Sequence, residues 1–176
     1  MAKSDRTQNV YMALGGVMAS GSLVFLWLAC TAPSGRLGLT AAAGLFPMAA
    51  ALYGGRAAGY LCWAAASLLG FFMLPDKGVA LLFLTFLGLY PVVKGRIESL
   101  RRLGVEWGLK LSYFNLVLTL FWFIFQGLFL PSGPQWLKDS ALLCYGVGNL
   151  IFVAYDLGLS QLIPRLSARL RRTRGR

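Results

Sequence analysis

The chain has no histidine, and its acidic residues number only 6. Without imidazole there is no His general base and no Cys/His zinc set. Six carboxylates scattered through 176 residues form no cluster for a hard cation. The three cysteines, Cys30, Cys62 and Cys144, are far apart, each inside an apolar run, with no CxxC. They read as small apolar helix residues, with a Cys30–Cys144 disulfide as the other reading. No P-loop, HExxH or GxSxG motif occurs. No catalytic residue, metal or cofactor is therefore expected, and the chain is not expected to be an enzyme. Charge of both signs is scarce, 13% of residues against about 25% in a soluble domain.

Long hydrophobic runs stand in place of charge, and 57% of the chain is hydrophobic. A span needs about 20 apolar residues. The runs predict an all-α, polytopic membrane protein with six transmembrane helices at about 10–30, 37–53, 57–74, 79–93, 111–130 and 140–163. Residues 1–9 precede this single membrane domain. Pro47 is expected to kink the second span, and Pro164 to end the sixth and release a basic tail, 164–176. The segment 94–110 spaces Ile97, Leu100, Leu103 and Trp107 among basic residues, the pattern of an interfacial amphipathic helix. The apolar run behind the N-terminus is longer than a signal-peptide core, so it reads as a retained first helix.

The basic residues give an orientation. Six spans put fourteen of the seventeen Lys and Arg on the side of the termini, leaving only Arg36, Lys77 and Lys138 opposite. The positive-inside rule makes that richer side cytoplasmic. The net charge of +11 lies between apolar runs and at the ends. That distribution suits anionic lipids rather than nucleic acid, and the expected location is the plasma (bacterial inner) membrane.

Three constellations are candidate sites. Asp156 is the one acidic residue inside a span, with Asn115 expected at similar depth and Lys110 and Lys94 able to reach down to it. A charge there costs a few kcal/mol unless paired. It reads as a structural lock between the last two helices, or as a proton, cation or coupling site; a membrane-embedded enzyme using Asp156 is a further class. Tyr145 and Asn149 share a helix face in the outer half of the sixth span. With Gln126, Arg36, Trp136 and Lys138 they form either an outward-facing ligand pocket or interhelical hydrogen bonds and an interface anchor. Gly15 with Ala19, and Gly16 with Ser20, are small-xxx-small pairs that permit close helix approach.

The stretch Leu37–Pro75 joins two Gly/Ala-rich runs at a Gly54-Gly55-Arg56 corner, a tight helical hairpin suited to touching other helices. With Leu45-Phe46-Pro47-Met48-Ala49-Ala50-Ala51-Leu52-Tyr53 before it, Ala57-Ala58-Gly59-Tyr60 after it and Ser67-Leu68-Leu69-Gly70-Phe71 beyond, it resembles the substrate-binding S component of energy-coupling factor vitamin transporters. The similarity is one of pattern over most of the chain. It implies an S-component-like six-helix bundle that captures a small vitamin-like molecule from outside and assembles with a transmembrane T component and a pair of ATPases. In this resemblance Gly15, Gly16 and Ala19, with the corner Gly54, Gly55 and Arg56, would couple to the T component, and the outer residues would bind substrate. The chain departs from the pattern in carrying Gly55 where proline is usual, and in lacking a pure AxxxA on the first helix. The alternative is a non-transport scaffold resembling the bacterial rod-shape-determining membrane subunit.

Overall fold

Among the described residues, which are mostly helical, proline and glycine stand at most of the breaks between helices. The computed structural model describes residues 2–100, 102–124 and 141–174. They form α1 (Ala2–Thr31), α2 (Arg36–Ala43), α3 (Leu45–Met73), α4 (Lys77–Leu82), a π-helical segment (Phe83–Leu87), α5 (Tyr90–Glu98), α6 (Leu103–Ile124) and α7 (Ala141–Arg174). Among the described residues, four stretches are long and apolar enough to cross a membrane: Met12–Thr31, Arg36–Met73, Lys77–Glu98 and Leu142–Arg165. Large apolar side chains stand fully outward on them, Phe72 74% and Leu150 73% exposed. Water would not tolerate so much exposed apolar surface, whereas lipid favours it. The chain is a membrane protein, all-helical among its described residues.

It divides into two compact units, Met1–Glu106 and Trp107–Arg176. In the first, the 38-residue stretch Arg36–Met73 would be about 57 Å long if straight, nearly twice the roughly 30 Å hydrocarbon core. It folds back instead. Gly55 takes φ 82° and ψ 173° inside α3, a conformation open to glycine alone. Before it the chain runs antiparallel to α1, with Ser22 against Ala43 and Gly21 against Phe46. Beyond it the chain runs parallel to α1, with Leu26 against Gly70. A Cβ on Gly59 would lie 2.9 Å from the carbonyl oxygen of Pro47. In one straight helix those residues would be about 18 Å apart.

The break at Gly44, between α2 and α3, is dictated twice. Pro47 has no N–H, so the Ala43 carbonyl four residues back loses its helical donor. Gly44 packs so tightly on α4–α5 that a Cβ would collide with the carbonyl oxygen of Leu87. The core of this unit is correspondingly small in side chain: Ala19, Ala29, Ala43, Ala50, Cys62, Ala66 and Ala80 with Leu26 and Phe83. Where apolar packing gives no advantage over lipid, close backbone approach holds helices together.

Several expected boundaries move. The fourth span lengthens to Lys77–Glu98 by taking in a π turn. The amphipathic connection 94–110 is no separate helix: Lys94–Glu98 ends α5, the chain turns at Ser99 and Leu100, and α6 begins at Leu103. There the buried Lys94 pairs with Glu98 one turn on, at 2.6 Å, and so continues the helix. Pro164 does not end α7, which continues to Arg174. Its missing N–H removes one helical bond, and the Ser-Ala-Arg-Leu-Arg-Arg run after it is rich in good helix formers.

Candidate functional site

Unit 1 presents a groove between α1 and α3. Gly15 and Gly16 form one wall, and Gly54, Ala57, Leu61 and Ala65 the other, enclosing about 540 Å³. The glycines on α1 fall into two kinds. Gly21 is required internally, since a Cβ there would lie 2.4 Å from the Phe46 ring. A Cβ on Gly15 or Gly16 would meet nothing within 4 Å. Packing inside the chain leaves those two free to be larger, so their small size keeps the groove open. Of the residues the sequence marks for coupling, Gly15, Gly16 and Gly54 line this one groove. Gly55 makes the turn beside it, and Arg56 is exposed on that turn. Ala19 does not join them; it is buried in the core of the unit, 4% exposed.

Unit 2 carries a polar seam between α6 and α7. Lys110 Nζ donates to Asp156 Oδ2 at 3.0 Å, with side chains 5% and 2% exposed. Next along the seam, Phe114 stacks on Phe152, ring centroids 4.6 Å apart. Asn115 and Asn149 then exchange two amide hydrogen bonds, each 3.1 Å. Thr119 and Tyr145 share a hydroxyl hydrogen bond of 2.6 Å. As the α6 number rises the α7 number falls, so the two helices run antiparallel. Each amide nitrogen also donates to the carbonyl one turn back, Asn115 to Leu111 and Asn149 to Tyr145. A span environment of low dielectric makes such satisfied pairs strong and unsatisfied ones costly. The residues expected to lock the last two helices are thus split. Lys110 and Asp156 meet each other, while Asn115 meets Asn149.

The residues expected to bind substrate fall in different units or outside the described residues. Arg36 Nη1 lies 3.2 Å from Asp76 Oδ2 in unit 1. Tyr145 and Asn149 are in unit 2, engaged with Thr119 and Asn115. Gln126, Trp136 and Lys138 lie outside the described residues. Asp76 also caps α4, its Oδ1 accepting from the backbone of Gly78 at 2.9 Å and Val79 at 3.3 Å. Lys77 Nζ donates to the carbonyls of Phe71 and Leu74, at 2.7 and 3.0 Å, at the end of α3. These polar groups finish helix ends. Among the described residues no three His, Cys, Asp or Glu side chains are grouped to hold a metal, and all three cysteines are free thiols.

Two roles escape the sequence reading. Ser22 Oγ donates to the Ala43 carbonyl at 3.1 Å, and Trp63 Nε1 to the Leu84 carbonyl at 3.0 Å. Pro47 is the signal for the first, since it orphans Ala43. The second accompanies the π turn, in which Gly88 N–H returns to Phe83, 2.9 Å away, rather than to Leu84. No protein-family model, curated protein or solved structure matches the chain.

Proposed function

We propose that the protein is a multi-pass membrane subunit that works by assembling with a second integral membrane protein through the α1–α3 groove. In its specific form this is the substrate-capturing subunit of an ATP-driven uptake system. Six spans would carry both termini to the cytoplasm, and a T component with paired ATPases would dock where Gly15, Gly16 and Gly54 open the surface. The observation supporting it is that these glycines line a groove in which a Cβ on Gly15 or Gly16 would meet nothing. In lipid, helices associate by letting backbones approach, which small residues permit.

The test is purification of the tagged protein from its native membrane, with mass spectrometry of copurifying proteins and of small molecules released on denaturation. Copurifying ATPases, a bound vitamin-like molecule and loss of the ATPases on Gly16→Leu are expected. Finding neither ATPases nor a bound molecule overturns the transport reading.

A second reading is favoured by the seam. Tyr145 and Asn149 spend their polar groups on Thr119 and Asn115 rather than on an open pocket. That suits a scaffold that holds other membrane proteins together and binds no solute. Copurification of cell-wall synthesis proteins without any released ligand would select it.

A further inference from the structure

Beside the groove stands a charge that no ion pair among the described residues neutralises. Arg36–Met73 carries two arginines. Arg36 has Asp76 at 3.2 Å. Arg56 is exposed, lies between the groove-lining Gly54 and Ala57, and has no ion pair among the described residues. Whatever fills the groove must therefore offer an apolar rod and an anion beside it. Size narrows the choice. The groove has a volume of about 540 Å³, in the range of sites for single small molecules, and one hydrocarbon chain fits it. The walls belong to membrane-crossing stretches, Met12–Thr31 and Arg36–Met73, so acyl chains are the medium that meets them.

We propose that the groove of the unassembled protein holds one acyl chain of an anionic phospholipid, with its phosphate bound by Arg56. A guanidinium forks onto two phosphate oxygens, and an anionic membrane surface adds roughly 1 kcal/mol per arginine near it. Through the docking reading this has one consequence: a partner helix covers or displaces the lipid. Lipid retention itself is a property of the isolated chain, so the two readings fail separately.

The test is native mass spectrometry of the full-length protein in mild detergent, supplied with phosphatidylglycerol or with phosphatidylcholine of the same acyl chains. One phosphatidylglycerol per chain is expected to survive, in preference to phosphatidylcholine. Gly16→Leu and Ala65→Leu place side chains in the groove and should cut retention at least tenfold; circular dichroism and thermal melting check that both variants fold. Arg56→Gln should abolish the headgroup preference. Retention unchanged in both groove variants would put the lipid on the basic surface elsewhere and overturn the proposal. Equal retention of the two lipids would overturn it through the headgroup. Loss of a protein partner in Gly16→Leu with lipid retention intact would keep the docking reading and remove this one.

Discussion

The hydroxyl of Ser22 on α1 supplies the hydrogen bond that Pro47 denies to Ala43. Its Oγ lies 3.1 Å from the Ala43 carbonyl oxygen, and Ser22 is wholly buried. Within lipid no water is present to take up a freed carbonyl, so a kinked helix needs a donor from a neighbour. The same relation recurs at the π turn, where Trp63 donates to Leu84, and where Lys77 reaches the last carbonyls of α3. These side chains let unit 1 combine broken helices with a dry interior.

Ser22→Ala should destabilise the protein by about 1–3 kcal/mol, the cost of leaving a buried acceptor unmade. Pro47→Ala gives residue 47 an N–H and should recover much of that loss in the double variant. A double-mutant cycle read by thermal unfolding in detergent should give a coupling of about 1 kcal/mol or more. Strict additivity would mean that Ser22 does not serve the carbonyl orphaned by Pro47.

Trp63→Phe keeps a ring in place but removes the donor to Leu84. A loss of about 1 kcal/mol is expected, with faster amide hydrogen exchange confined to residues 83–92. Exchange unchanged there would show that the π turn persists without Trp63.

In unit 2, removing one partner of Lys110–Asp156 leaves a charge in a low-dielectric seam. Lys110→Met or Asp156→Leu alone should cost about 3–5 kcal/mol, while the double apolar variant should be close to neutral or more stable. Should the double variant fold stably yet lose its partners or ligand, the pair serves function rather than stability.

The neutral rung of the seam should be weaker. Asn115→Ala and Asn149→Ala, taken as a cycle, should couple by about 0.6 kcal/mol and at most about 1.7, the range measured for interhelical hydrogen bonds in membranes. A coupling near zero would mean that each amide is satisfied by its own backbone contact, Leu111 or Tyr145.

Much of this was legible in order and little in register. Charge scarcity and apolar runs announce a helical membrane protein, because length and hydropathy are properties of the local chain. The fold-back at Gly55 falls inside the Gly54-Gly55-Arg56 corner, where two adjacent glycines precede the one charge. Asp156 needs a partner within reach. Rise per residue sets Asn115 at its depth, with Lys110 and Lys94 both able to reach down. Of these, Lys110 pairs with it while Lys94 pairs with Glu98. Pairing is another matter. Asn149 was as free in sequence to face a ligand as to face Asn115, and only the antiparallel register of α6 and α7 decides. Past Pro164 the chain departs from expectation, because one lost bond does not stop a helix when the helix formers after it carry it on to Arg174.

The two kinds of glycine give the sharpest contrast. At Gly44 a Cβ would collide with the Leu87 carbonyl oxygen and lie 2.9 Å from its carbon, both backbone atoms that cannot rotate away. Gly44→Ala must therefore push α2–α3 off α4–α5, and overpacking of this kind typically costs 1–3 kcal/mol or more. At Gly16 the same added methyl meets nothing within 4 Å, and alanine is the better helix former by about 1 kcal/mol. Gly16→Ala should thus leave the isolated protein equally or more stable in a detergent melt. Paired measurements decide the role of the open glycine: unfolding of the isolated chain, and recovery of its partners from native membrane. If Gly16→Ala stabilises the chain while weakening assembly, glycine is there for contacts made outside the chain. If stability rises and assembly is untouched, the groove is not where the partner sits.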